Sequence, residues 1–252
     1  MGNQGVQSVD RAIAALEVLA ELGDAGTGVI ADKLGVHKSS ASRILTSLAS
    51  HGLVEQDGQG GSWRLGFGLV RLAGSVTART GFSQVAQVLC DRVVEDLGMT
   101  ANVAVLDEGF AVNVSQAVGS GLLAPRHYVG LRTPGHATSS GKLLLAYSGT
   151  DGTDGTDRTE VPDDLERYTD RTILTASELG AELDWVRDRG WAASDEEWEE
   201  RITAVAVPLR RQDGTVEAAL TVTGPNHRLP PQDFPEVAAR LTELARSSGR
   251  WV

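Results

Sequence analysis

The chain has 252 residues, a hydrophobic fraction of 41%, one cysteine and a formal net charge of −11. This length predicts one large domain or two smaller ones, and the apolar fraction suffices for a packed core. The single cysteine excludes an internal disulfide framework and a cysteine-rich zinc site. No apolar run is long enough to predict a membrane span. The polar first ten residues do not resemble a signal peptide, so we expect a cytoplasmic protein.

Charge is distributed unevenly along the chain. Residues 1–80 contain seven acidic and seven basic side chains, so the whole negative excess falls in residues 81–252. A neutral first part is compatible with nucleic acid, which a uniformly acidic chain would repel. The asymmetry therefore predicts two modules with different partners.

The first module is predicted to contain three helices and a hairpin. Apolar periodicity indicates helices over residues 9–22, with Ser8 as N-cap, then 29–34 and 37–50. Strands are expected at 53–56 and 62–65 around a turn at 57–61, and a connector helix at 67–79. This order is typical of a winged helix-turn-helix, although an ordinary three-helix bundle with a solvated polar face remains the alternative.

One face of the third predicted helix carries small hydroxyl side chains and cations. Such a face suits a helix in the major groove, where Arg43 would read guanine or neutralise a phosphate. The wing would lie against the adjacent DNA backbone through Trp63 and Arg64. The predicted DNA-contacting residues are Thr27, His37, Lys38, Ser39, Ser40, Ser42, Arg43, Trp63 and Arg64.

The second module reads as an antiparallel sheet flanked by helices, which is an α+β fold. Helices are predicted at about 82–97, 139–147, 177–189 and 234–247. Strands are predicted at about 101–106, 110–117, 191–194, 202–209 and 216–223. The triple Gly-Thr-Asp repeat in residues 149–157 is expected to form an exposed loop.

No motif for catalysis or metal binding is complete. Ser139 and Lys142 form an S-x-x-K string without the other motifs of penicillin-recognising enzymes, and the glycine spacing nearby does not fit a phosphate-binding loop. The histidines lack metal-ligand spacing. The acidic cluster at 195–200 could hold an acid/base pair, but a solvated acidic face is the favoured interpretation. Cys90 is expected in the core, and neither a cofactor nor a metal is expected.

Several stretches, taken together, resemble the IclR-type family of bacterial transcriptional regulators. They include S-V-D-R-A at 8–12, K-S-S-A-S-R-I-L at 38–45, W-R-L-G at 63–66 and T-P-G-H-A-T-S-S-G-K-L-L-L-A at 133–146. Further matching stretches are residues 30–35, 189–192 with Glu197, 204–209 and 220–225. The chain departs from the family at Trp63, where tyrosine is usual, and at Arg201, where glycine is common.

The resemblance implies a domain order and a set of partners. It implies a winged helix-turn-helix at residues 1–66, a linker helix at 67–80 and a GAF/profilin-like effector domain at 81–252. It also implies dimers, or dimers of dimers, on a palindromic operator. We expect the dimer to form through the first helix and the linker, which offers Leu69, Val70, Leu72 and Ala73.

An effector site is predicted at the start of the helix that begins at Ser139. Free N–H groups at a helix N-terminus favour an anion such as an organic acid, although Ser139 could simply cap the helix. With the positions that the resemblance adds, the predicted ligand-binding residues are Asn102, Val103, Leu131, His136, Ala137, Ser139, Ser140, Gly141, Thr203, Thr221 and Thr223.

The sequence therefore predicts a DNA-binding transcriptional regulator, not an enzyme, whose operator binding responds to a small metabolite. Two alternatives stay open: a small-molecule enzyme built on the second module, and a sensor that does not bind DNA.

Overall fold

A computed structural model of the chain describes residues 6–57, 61–78, 82–120, 128–148 and 164–251. The chain divides into two compact units, Met1–Gly81 and Phe82–Val252. Three predicted features fall outside the described residues: the tip of the hairpin turn at 58–60, the junction at 79–81 and the Gly-Thr-Asp repeat.

The first unit combines helices with a small antiparallel sheet of strand order β1-β3-β2. Its core joins α1, α2 and α3 to the sheet through buried aliphatic side chains and Trp63. The elements are α1 (Gln7–Leu22), β1 (Asp24–Gly26), α2 (Thr27–Lys33), α3 (Lys38–Ser50), β2 (Val54–Gln56), β3 (Ser62–Leu65) and α4 (Phe67–Ala78).

Two local predictions for this unit are wrong. Helix α1 begins at Gln7 after Val6, which provides no side-chain cap, so Ser8 lies within the first turn. Residues 24–26, which lie between the first two predicted helices and for which the sequence predicts a turn and no strand, form strand β1 and pair with Ser62–Arg64 of β3. A three-residue strand is too short to show a period of two, and Asp-Ala-Gly has the composition of a turn.

The second unit contains one six-stranded antiparallel sheet of order β6-β5-β4-β9-β8-β7. This arrangement confirms the predicted α+β class. The elements are α5 (Phe82–Leu97), β4 (Thr100–Asp107), β5 (Phe110–Ala117), β6 (Arg132–Pro134), α6 (Ser139–Tyr147), α7 (Ala176–Arg189), β7 (Ala192–Asp195), β8 (Ile202–Arg210), β9 (Val216–Pro225), a 3-10 turn (Pro231–Asp233) and α8 (Phe234–Ser247).

The two faces of this sheet carry different cores. Larger aliphatic residues such as Val103 and Leu220 pack with α5 and α8 on one face. Alanines such as Ala104 and Ala206 pack with α6 and α7 on the other. Because side chains alternate along a strand, Asn102 and Thr221, which are direct partners across β4 and β9, point to the α6 side.

Small residues let α6 begin close to the neighbouring backbone. A Cβ placed on Gly141 would lie 2.5 Å from Cα of Gly135, and a Cβ on Gly135 would lie 2.2 Å from the Gly109 carbonyl oxygen. Neither position can hold a side chain without a shift of backbone. These two glycines fix where the N-terminus of α6 meets the sheet.

Candidate functional site

A tight turn sets the direction of α3 relative to α2. Gly35 has a φ of +61°, in the left-handed region that glycine adopts without steric cost. The amide of Val36 then donates to the Ala31 carbonyl at 3.0 Å and closes the turn. The turn and the core residues of both helices together present the outer face of α3 to solvent.

The outer face of α3 has the composition that the sequence predicted. Ala41, Leu45 and Leu48 are buried, and the opposite side of the helix is centred on Ser39 and Arg43. Rotation by 100° per residue places Thr46, Lys38 and Ser42 beside them, and all five side chains are exposed. His37, which precedes the helix, is also exposed, whereas Ser40 is half-buried.

The outer face of α3 carries two cations, Lys38 and Arg43. Within the described part of the chain, Lys38 and Arg43 form no ion pair. Arg43 also borders a groove between α1 and α3, whose other polar walls include Arg11 and Ser8. The sequence analysis did not single out Arg11, because its proximity to α3 depends on how the helices pack.

The wing differs from the prediction at Trp63. Its side chain is only 7% exposed and belongs to the core of the unit. Its indole N–H donates to Oγ1 of Thr27 at 3.0 Å, so the two residues fasten β3 to the start of α2. This burial places Trp63 inside the domain and not on its DNA-facing surface. Arg64 is exposed, and its Nε lies 2.6 Å from Oε1 of Glu55.

The second unit contains a cavity between the sheet and the N-terminus of α6. The space inside it that the centre of a water-sized sphere can reach is about 50 Å³, several times the roughly 10–15 Å³ that one buried water needs. Six predicted residues line it: Asn102, Ser139, Ser140, Thr203, Thr221 and Thr223. The sequence analysis did not find nine others: Asn113, Tyr128, Thr133, Thr138, Ser194, Trp198, Glu199, Ile202 and Ala204.

Five predicted ligand-binding residues lie away from the cavity wall. Val103 faces the opposite core because it follows Asn102 in an alternating strand. The His136 ring nitrogen Nε2 lies 2.9 Å from the Glu166 carbonyl oxygen, and the Ala137 carbonyl accepts from Ser194. Gly141 packs against Gly135. The Leu131 amide donates to the Tyr128 carbonyl, and the Leu131 carbonyl accepts from the Asn113 amide.

Thr138, and not Ser139, is the N-cap of α6. Its hydroxyl accepts the amide of Gly141 at 3.2 Å and donates to the Pro134 carbonyl at 2.8 Å. The hydroxyl of Ser139 therefore has no capping role, and it has no hydrogen-bond partner in the described part of the chain although Ser139 is only 1% exposed. A threonine before two serines at a predicted helix start was a signal for this assignment.

Two further polar atoms of the cavity share this lack of a partner. Among the described residues, the buried atoms Asn102 Oδ1 and Thr221 Oγ1 form no hydrogen bond, and each of these two residues is 5% exposed. A buried polar atom left unsatisfied costs about 1–3 kcal/mol. Three such atoms around one cavity indicate a polar occupant.

A buried ion pair fixes the loop between β7 and β8 against α6. Nζ of Lys142 lies 2.7 Å and 2.8 Å from the two carboxylate oxygens of Glu197, and 3.4 Å from Glu182. Burial raises the pKa of Glu197, and the Lys142 ammonium opposes that rise. The expectation of a solvated acidic face is thus wrong for Glu197, and Lys142 is committed to a structural pair.

Among the described residues, no group of three or more histidine, cysteine or acidic side chains is arranged to hold a metal ion. In the same part of the chain, no helix has the length and apolar character needed to cross a membrane.

Known proteins match both units. Residues 8–58 match the IclR helix-turn-helix domain, and residues 74–250 match the family described as bacterial transcriptional regulator IclR C-terminal. The chain belongs to the IclR family of bacterial transcriptional regulators. It is thus a DNA-binding transcriptional regulator, and this membership confirms the resemblance inferred from the sequence.

Individual relatives are similar over nearly the whole chain. The glycerol operon regulatory protein of Streptomyces coelicolor is 31% identical, with 98% of this chain and 96% of that protein covered. An IclR regulator structure from Alicyclobacillus acidocaldarius has a TM-score of 0.79 at 26% identity, covering 97% of this chain and 98% of that one. An IclR homologue from Microbacterium hydrocarbonoxydans, complexed with 4-hydroxybenzoate, shares the fold with a TM-score of 0.77, 24% identity and coverage of 96% and 98%.

Proposed function

We propose that this regulator places the exposed face of α3 in the major groove of its operator. The observation that carries the proposal is the set of exposed hydroxyl and cationic side chains centred on Ser39 and Arg43. Neither Lys38 nor Arg43 is paired within the described residues, so both cations are available to phosphate or guanine. Trp63 is left out of the interface because it is buried.

A binding experiment tests the role of Arg43. If its guanidinium reads a base, Arg43→Ala costs about 1–3 kcal/mol and relaxes preference at one operator position. If it contacts phosphate, all sequences weaken equally and the salt slope falls by about one. The matched control is Arg92→Ala, an exposed arginine of α5 in the other unit. Equal affinity of the Arg43→Ala and wild-type proteins for the mapped operator would contradict the proposal.

We further propose that a small metabolite bound in the α6 cavity changes operator affinity. The support is the group of three buried polar atoms without partners, on walls formed by the sheet and α6. The relative crystallised with 4-hydroxybenzoate shows that a protein of this fold binds a small molecule. Since no acid/base pair converges there among the residues that the structure describes, we propose binding without catalysis, in a regulator that acts in the cytoplasm.

A metabolite panel, read by thermal shift and by operator release, tests this second proposal. Ser140 is 6% exposed and lines the cavity, so Ser140→Tyr fills part of the space. The variant is expected to lose both the thermal shift and the release while still binding operator. Unchanged binding and release by Ser140→Tyr would place the effector elsewhere.

We also propose that the regulator assembles into at least a homodimer. One winged module makes too few contacts for specificity across a genome, so two copies on a palindrome are needed. Helices α1 and α4 expose apolar side chains that a partner could cover: Val9 at 52%, Ile13 at 51%, Phe67 at 81%, Val70 at 64% and Leu72 at 55%. Sedimentation as a monomer at micromolar concentration, with and without operator, would contradict the dimer.

A further inference from the structure

A groove between α1 and α3, here called the α1–α3 groove, runs beside the outer face of α3. Its polar walls are Gln7, Ser8 and Arg11 of α1 and Ser40, Arg43 and Ser47 of α3. Among the described residues that line the groove, two are cationic and none is acidic. The groove is therefore positively charged, and its serine hydroxyls can donate hydrogen bonds to an anion.

Helical geometry places the α1–α3 groove at the side of the proposed DNA-contacting face. At 100° per residue, Arg43 lies about 40° around α3 from Ser39, and Ser40 and Ser47 lie about 40–60° further in the same direction. The major groove is about 12 Å wide, so this side of α3 faces one of the two phosphate backbones when α3 lies in it. Packed helices lie about 8–10 Å apart, so α1 is then next to that backbone.

Arg11 has the properties of a phosphate contact. It is half-buried, and within the described part of the chain its guanidinium forms no ion pair or hydrogen bond. A half-buried cation beside a second cation loses hydration without gaining a counter-charge, which is unfavourable. A phosphate in the groove supplies that charge, and a guanidinium binds it through two parallel N–H groups.

The alternative partner of Arg11 is a carboxylate of a second copy, because α1 is also part of the proposed dimer interface. Val9 and Ile13 are the exposed apolar residues of α1 in that interface. They lie about 40° apart around the helix, and Arg11 is about 160° from each of them. The face of α1 that carries Arg11 is thus turned to α3 and away from a partner that covers Val9 and Ile13.

We propose that the α1–α3 groove holds a phosphate of the operator backbone, which Arg11 contacts together with serine hydroxyls of the groove. This inference rests on the proposed placement of α3 in the major groove and deepens it, because it assigns a DNA contact to α1. A phosphate contact fixes the position of α3 on the duplex but does not read sequence.

Binding of the full-length protein to its mapped operator, measured by fluorescence anisotropy at several salt concentrations, tests this contact. Arg11→Ala is expected to weaken the operator and its single-base variants by the same factor, about tenfold, and to lower the salt slope by about one for each protomer. Arg11→Lys keeps the charge and should keep the salt slope. Arg92→Ala removes an exposed arginine of the other unit and should leave the affinity unchanged.

A change on the DNA side identifies the phosphate. Operators are prepared in which one phosphate at a time is replaced by an uncharged methylphosphonate. At one position the replacement should weaken the wild-type protein about tenfold and leave the affinity of the Arg11→Ala protein unchanged, because the two changes remove the same contact. Wild-type affinity of the Arg11→Ala protein for the unmodified operator, or additive losses at every position, would overturn the inference.

Sedimentation and the Arg43→Ala protein separate the possible failures. The Arg11→Ala protein should sediment as the wild type does, whereas loss of the dimer would overturn the phosphate contact in favour of a partner carboxylate. If Arg43→Ala weakens operator binding and Arg11→Ala does not, the inference falls and the placement of α3 stands. If neither variant weakens operator binding, both proposals fall.

Discussion

Replacing Thr221 by valine is expected to stabilise the protein without ligand and to weaken effector binding. The hydroxyl of Thr221 belongs to a residue that is 5% exposed and has no hydrogen-bond partner within the described ranges, so the folded state bears its desolvation cost. An unsatisfied buried polar group costs about 1–3 kcal/mol, and valine replaces it with a methyl group of similar shape. We expect a gain of about 1 kcal/mol, or roughly 2–4 °C in Tm for a domain of this size.

Thr203→Val is the matched control for this substitution. Thr203 lies on the adjacent strand β8 and is fully buried, but its hydroxyl donates to the Leu229 carbonyl at 2.6 Å. Valine there leaves a buried carbonyl without its partner, so stability should fall by about 1–3 kcal/mol. The same change of side chain thus has opposite signs at two positions in one sheet.

Urea unfolding and thermal melts of the two variants test these opposite effects on stability. A higher Tm for Thr221→Val together with a lower Tm for Thr203→Val is the expected result. If Thr221→Val loses as much stability as Thr203→Val, the Thr221 hydroxyl has a partner in solution, and the reasoning from unsatisfied atoms is refuted.

Three further predictions concern stability. Lys142→Met leaves Glu197 buried without its cation, so the free energy of unfolding measured in urea should fall by about 3–5 kcal/mol. The double variant Lys142→Met/Glu197→Leu should regain much of that loss. A fall of less than about 1 kcal/mol in Lys142→Met would contradict a strong pair. Burial would raise the pKa of Glu217, but hydrogen bonds from Trp251, Arg250 and Arg211 hold it below the ordinary 4.5. The ionised Glu217 carboxylate therefore stabilises the folded state above about pH 4.5, and this stabilisation is lost as the pH falls through the lowered pKa. Glu217→Gln should flatten the acid side of the plot of unfolding free energy against pH. Parallel plots for the variant and the wild type would refute this. Arg201 has a φ of +63°, in the left-handed region that glycine adopts without strain. Arg201→Gly should raise Tm by about 2 °C, because the relief of strain outweighs the added entropy of the unfolded chain. A lower Tm would contradict this.

Elements with strong local signals were predictable from the sequence. Helices α5, α6 and α8 and strand β5 have the predicted bounds, because apolar periodicity and turn residues agree there. The exposed face of α3 followed from the same periodicity. The three-residue strands β1 and β6 were not found, since so short a segment shows no alternation.

The cavity was only partly predictable because its walls depend on strand register. Ser139 and Ser140 could be found from the helix start, but Asn102 meets Thr221 through the pairing of β4 with β9. Register is a tertiary property, and a shift by one residue would exchange Asn102 for Val103. Ser194 lines the cavity from β7, and Trp198 lines it from the loop that follows. The position of that loop depends on the ion pair between Lys142 and Glu197, which are 55 residues apart in the chain.

That loop shows how the chain holds a cavity wall in place. Glu196 and Arg201 both have left-handed backbone, with φ of +60° and +63°, at positions where a side chain is disfavoured. The Glu196 carboxylate accepts the Arg201 amide at 2.7 Å and the Asn226 side chain at 3.0 Å, and the Thr172 hydroxyl donates to the Glu197 carbonyl at 2.7 Å. Strained backbone persists when surrounding contacts over-determine it. The loop that carries Trp198 and Glu199 is therefore fixed before a ligand arrives, so the binding free energy need not include the cost of ordering this wall.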